Sequence, residues 1–112
     1  MTDAIIHFNG SADELESTIK AKKGLVVVDF FATWCGPCKR LGQILPGIAT
    51  ENSDVTFIKV DIDQNDDAAS KFGVSSIPHI AFCKANDGNY EVINTVVGCN
   101  VEAINKLIAA NK

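Results

Sequence analysis

Two cysteines separated by two residues carry the most chemistry in this sequence: Cys35 and Cys38, within Trp34-Cys35-Gly36-Pro37-Cys38-Lys39. Thiols at that spacing can close into a disulfide and open again. The attacking species is the thiolate, and a free cysteine is mostly protonated at neutral pH, so the chemistry needs a nearby source of positive charge. A helix start supplies one, through its unpaired N–H groups and the positive end of its dipole. Cys35 falls where an apolar run ends and a helical pattern begins. Cys38 is in phase with Leu41, Leu45 and Ile48 at spacings of three and four, which puts it on the inward face of that helix.

Asp29 is the second residue with chemical promise. It lies inside Leu25 to Phe31, a run otherwise apolar on both alternating faces, as in a strand buried mid-sheet. Burial disfavours the charged carboxylate and raises its pKa, so Asp29 is expected to exchange a proton with Cys38 near neutral pH. Lys59, in the next strand, is its expected partner and would moderate that shift. Cys83, Cys99, His7 and His79 stand isolated and supply no second ligand pair for zinc. The acidic stretch Asp61 to Asp67 lacks the spacing and glycine of a calcium loop and reads as a solvated, helix-capping segment. No metal is expected.

The elements that must position these groups follow from periodicity and punctuation. Ala4 to Phe8 reads as a strand. Ser11 and Glu14 form a capping box for a helix with Leu15 and Ile19 inward, ending near Lys23-Gly24. Leu25 to Phe31 is the central strand. The helix after it contains Pro46, which predicts a kink between Gly42 and Pro46. Val55 to Ile62 is a third strand and Asp63 to Phe72 a short helix closed by Gly73. Ile80 to Lys84 and Tyr90 to Val97 are strands around the turn Asn86-Asp87-Gly88-Asn89. Asn100 caps a last helix with Val101, Ile104, Leu107 and Ile108 on one face. The order βαβαβαββα predicts an α/β fold, a mixed five-stranded sheet flanked by four helices.

The 112 residues have room for one domain with one core. A hydrophobic fraction of 46% and a charged fraction of 21% exclude disordered and collagen-like classes. The net charge of −4 argues against a nucleic-acid partner. No apolar run approaches the roughly 18 residues of a membrane-spanning helix. Met1-Thr2-Asp3 lacks a basic leader, so a cytoplasmic protein is expected.

On this order of elements the Trp34 to Lys39 motif keeps company with Asp29 six residues ahead of Cys35 and with Lys59 in Lys-Val-Asp. Ile77-Pro78 stands before the fourth strand, and Gly98 between the fifth strand and the last helix. The chain therefore resembles the thioredoxin family over essentially its whole length. Its inner pair, Gly36-Pro37, differs from the Pro-Tyr usual in glutaredoxin-like proteins. The resemblance implies the thioredoxin fold and a general protein-disulfide reductase. Cys35 would attack a target disulfide to form a mixed disulfide, and Cys38 would resolve it, leaving a Cys35–Cys38 disulfide.

The same resemblance implies no bound cofactor. NADPH would act indirectly through a thioredoxin reductase, and peroxiredoxin, ribonucleotide reductase and methionine sulfoxide reductase would be targets of a monomer. Pro78 resembles the family's cis-proline, beside which the backbone of Ile77 would pair with an extended target. Trp34, Gly36, Pro37 and Gly98 would form a flat apolar docking surface around an exposed Cys35 thiol. Two positions depart from the family pattern. Gln43 stands where a proline is usual, and His79 where threonine is common, which opens an altered target preference or pH response. Two other readings stay open: an interaction module without turnover, and an oxidase or isomerase. Cys83 reads as a small core hydrophobe, and Cys99 as a candidate regulatory thiol.

Overall fold

The apolar run Leu25–Phe31 becomes β2, the central strand of the computed structural model, which describes residues 4–112. Met1-Thr2-Asp3, read above as lacking a leader, lies outside the described residues. The other elements are β1 (Ile5–Phe8), α1 (Ala12–Lys20), α2 (Gly36–Glu51), β3 (Thr56–Asp61), α3 (Asp66–Lys71), β4 (His79–Asn86), β5 (Asn89–Val97) and α4 (Val101–Asn111). The strand order is β1-β3-β2-β4-β5. β3 pairs in parallel with β1 and β2, and β4 runs antiparallel to both β2 and β5. The predicted mixed sheet of five strands with four helices is what forms.

Alternation along β2 divides the core into two layers. Leu25 and Val27 pack with Leu41, Leu45 and Ile48 of α2 and with Ile104 and Ile108 of α4. Val26, Val28 and Phe30 pack on the other face with Leu15 and Ile19 of α1 and Ala68 and Ala69 of α3. Each Val, Leu, Ile or Phe side chain so buried contributes on the order of 1.5–3 kcal/mol. This double coverage is why β2 is apolar at every position except Asp29.

Local signals explain most boundaries. The capping box forms as predicted: Glu14 N–H donates to Ser11 Oγ at 3.1 Å, and Ser11 N–H to Glu14 Oε1 at 2.9 Å. α1 nevertheless ends at Lys20, short of Lys23-Gly24. Past Ile19 the inward phase falls on Lys22 and Lys23, which cannot extend the apolar stripe. Gly24 instead serves the turn into β2 with φ +79°. α2 runs through Pro46 as one helix, and Leu41, Leu45 and Ile48 anchor both sides of the proline in one core.

The segment after β3 also differs from the expectation of a helix from Asp63. Asp61 Oδ1 accepts from Asp63 N–H at 2.9 Å, a local turn that delays α3 to Asp66. The acidic segment does cap a helix, but a distant one. Asp67 Oδ2 accepts from Ala12 N–H at 2.9 Å at the start of α1. Buried Asn65 accepts from Gly10 N–H at 2.9 Å and donates to the Asp61 carbonyl at 3.0 Å. The β4–β5 hairpin turns on Asp87 and Gly88, both at positive φ, which fits a two-residue turn between longer strands than predicted.

Candidate active site

The chain leaves β2 and enters α2 at Cys35, which is the N-cap of that helix. Gly36 and Pro37 occupy the first helical positions, where a missing N–H is harmless because those donors have no intrahelical partner. Cys38 N–H donates to Cys35 Sγ at 3.2 Å. The sulfur thus takes the place of a capping oxygen and sits at the positive end of the helix dipole. Cys35 and Cys38 are joined by a disulfide with Cα atoms 5.2 Å apart. A thiolate formed at Cys35 on reduction would meet the same N–H donor.

The Ile77–Pro78 loop meets this disulfide, and the Gly98 loop is hydrogen-bonded to that loop. The Ile77–Pro78 peptide is cis, and the Ile77 carbonyl oxygen lies 3.8 Å from Cys35 Sγ. Gly98 N–H donates to the Pro78 carbonyl at 2.8 Å, with Gly98 at φ +97°, a conformation that favours glycine. Cys35, Cys38 and Ala32 form a small buried cluster against Phe31, Ile62 and Ile77. Cys35 is only 5% exposed in the disulfide form. Packing against Ile77 covers its sulfur, and the exposed group beside it is Trp34, at 67%. The indole N–H of Trp34 donates to Asp63 Oδ2 at 2.8 Å. The Trp34–Asp63 contact has no local signal, because only the fold brings residues 34 and 63 together.

Asp29 is 1% exposed, and neither carboxylate oxygen has a hydrogen-bond partner. It stands opposite Lys59 in the β2–β3 register and opposite Ile80 in the β2–β4 register. Burial pushes its carboxyl up to about 6, with the charge of Lys59 opposing part of the rise. The expected Asp29–Lys59 pairing is therefore an action across space and not a hydrogen bond. The Lys59 ammonium sits 4.3 Å from the centroid of the Phe31 ring. Beside it a cleft of about 460 Å³ is lined by Thr33, Cys38, Lys39, Gly42, Gln43 and Lys59, among others. The cleft thus opens at the edge of buried Cys38.

His79 lies on the opposite face of the sheet from Asp29, since it pairs with Phe30 and meets that ring edge-on at 5.7 Å. Its partial burial lowers its pKa. Cys83 is buried, and desolvation pushes its thiol up to about 12. Cys99 is half-buried against the α4-side core. Among the described residues no three His, Cys, Asp or Glu side chains converge as metal ligands, and no helix is long and apolar enough to cross a membrane.

The thioredoxin family model matches residues 7–110. Thioredoxin-2 of Saccharomyces cerevisiae is 46% identical over 101 residues, covering 90% of this chain and 93% of that protein. The thioredoxin of Echinococcus granulosus is 46% identical over 99 residues and 88% of each chain. Among solved structures, Trichomonas vaginalis thioredoxin superposes with a TM-score of 0.95 at 53% identity, covering 97% of this chain and 98% of its own. A structure bearing on the thiol-resolving mechanism of yeast mitochondrial 1-Cys peroxiredoxin via the glutathione and thioredoxin systems is 31% identical. Its TM-score is 0.83, with coverage of 95% of this chain and 94% of its own.

Proposed function

This chain belongs to the thioredoxin family, and from that premise we propose how its site carries out exchange and with which partners. It is a thiol–disulfide oxidoreductase whose redox-active pair is Cys35 and Cys38. The observation that carries the mechanistic reading is the Cys38 N–H aimed at Cys35 Sγ from the first turn of α2.

In the reduced protein that donor and the helix dipole favour the Cys35 thiolate. The thiolate attacks one sulfur of a target disulfide. A bond forms between Cys35 and the target, and the other target sulfur leaves as a thiolate. Cys38, buried one turn on, surrenders its proton to the Asp29 carboxylate and attacks Cys35 Sγ. The mixed disulfide breaks, the target departs with both sulfurs reduced, and the two electrons it gained come from the Cys35–Cys38 dithiol. Asp29 suits the transfer because its affinity for a proton has been raised toward neutrality. Lys59 moderates that affinity.

Trp34, Gly36, Pro37, Ile77, Pro78 and Gly98 form the docking surface, with the backbone at Ile77 pairing an extended target strand. No cofactor is bound; the dithiol is regenerated by a thioredoxin reductase drawing on NADPH. Peroxiredoxin is a fitting target, in keeping with the peroxiredoxin-linked neighbour, and ribonucleotide reductase and methionine sulfoxide reductase are others. The protein acts as a cytoplasmic monomer. Insulin-disulfide reduction with dithiothreitol as donor tests the reading. Strong acceleration that disappears in Cys35→Ser is expected. Background rates for both proteins would leave a binding module as the better account.

A further inference from the structure

Beyond its N-terminal Gly36, α2 holds two glycines in its interior, where each costs about 1 kcal/mol of helix stability relative to alanine. Neither needs the left-handed backbone that would explain it. Gly47 faces open space. Gly42 does not: a Cβ placed there would lie 3.4 Å from Lys59 Nζ. The ammonium is thus seated between the bare backbone of α2 at Gly42 and the Phe31 ring, at the rim of the cleft beside Cys38. The same lysine stands opposite Asp29 in the strand register.

We propose that Gly42 is a positioning residue for the redox proton transfer: its missing side chain keeps open the seat of the Lys59 ammonium and so sets how strongly Lys59 acts on Asp29. A Cβ at 3.4 Å would only touch the ammonium, so the carbons beyond a Cβ are the ones that would compete for its place. The other groups around the pair are few. α2 contributes Cys38 and Lys39 to the cleft. β4 brings Ile80 opposite Asp29, with His79 on the far face. α4 supplies apolar Ile104 and Ile108 to that layer. Among the described residues Lys59 is the cation whose charge opposes the rise in the Asp29 pKa. The proposal rests on the Asp29 proton-transfer reading for its functional meaning, though not for its titration.

The test is the titration midpoint of Asp29, followed by carboxyl-carbon NMR in the oxidised protein, alongside the pH profile of insulin reduction. Gly42→Ala, Gly42→Leu, Lys59→Met and the Gly42→Leu/Lys59→Met pair are compared. Lys59→Met is expected to raise the midpoint most, Gly42→Leu less and Gly42→Ala least, and the double variant should match Lys59→Met alone. A purely structural glycine would alter melting temperature without moving the midpoint. An unmoved midpoint in Gly42→Leu, or a Gly42→Leu shift that persists undiminished without Lys59, overturns the proposal. If Gly42→Leu fails to fold, Gly42→Met, whose flexible chain also extends past Cβ, decides by the same criterion. An Asp29→Asn variant with a wild-type pH profile would instead remove the proton-transfer reading and leave the Gly42 titration result standing.

Discussion

The indole N–H of the most exposed aromatic side chain beside the disulfide, Trp34, is held by the carboxylate of Asp63 at 2.8 Å. Asp63 is in turn fixed by its own N–H donating to Asp61 Oδ1. A ring held this way presents its face to a target without first losing rotamer freedom. Asp63→Ala should raise KM for a protein disulfide roughly five-fold, about 1 kcal/mol, with kcat unchanged. Turnover of a small disulfide such as dithionitrobenzoate should hardly change, and Asp63→Asn, which keeps an acceptor, should restore most of the KM. An equal loss on both substrates would show that the contact acts on chemistry and not docking.

Asp29 makes stability depend on pH in a defined direction. Its native pKa, about 6, lies above the unfolded value of 3.8, so the unfolded chain releases this proton first. Stability therefore falls as pH rises through that window, and the penalty is complete above it. The difference amounts to about 3 kcal/mol. Urea unfolding of the oxidised protein should show Asp29→Asn gaining by about that much on wild type between pH 3 and pH 8. A constant difference across that range would mean that the carboxyl titrates normally.

Asn65 ties the β1–α1 and β3–α3 loops together while only 3% exposed. Asn65→Ala leaves the Gly10 N–H and the Asp61 carbonyl without these partners, a loss of about 1–3 kcal/mol in unfolding free energy. The denaturation midpoint checks it, and the same variant should loosen the loop that carries Asp63.

The two cysteines outside the active pair should differ in reactivity. In the oxidised protein, iodoacetamide should label half-buried Cys99 well before Cys83, whose thiol is buried and pushed up to about 12. Peptide mapping of the carbamidomethyl group decides the order.

What the sequence made legible was whatever local patterning determines. Cys35 and Cys38 sit one helical turn apart by covalent spacing. Asp29 declares itself as an acid inside an apolar run, and the Ser11–Glu14 box spans three residues. The remainder depends on which distant segments meet. Nothing near Trp34 reveals that Asp63 will hold it, and nothing near Gly42 reveals Lys59. The delayed start of α3 follows from the turn at Asp61 and the Asn65 bridge to Gly10, contacts that no helical periodicity encodes. Ile19 is the last inward residue of α1, one before the helix ends at Lys20, and the end of that stripe is a subtler signal than the glycine at position 24.

The attacking role of Cys35 is tested most directly by trapping. Reduced Cys38→Ser protein, mixed with an oxidised protein substrate, can begin exchange but cannot resolve it. Mass spectrometry of the digested adduct should find one intermolecular disulfide, from Cys35 to the target, while Cys35→Ser yields none. An adduct through Cys83 or Cys99, or equal trapping by the Cys35→Ser variant, would contradict the account.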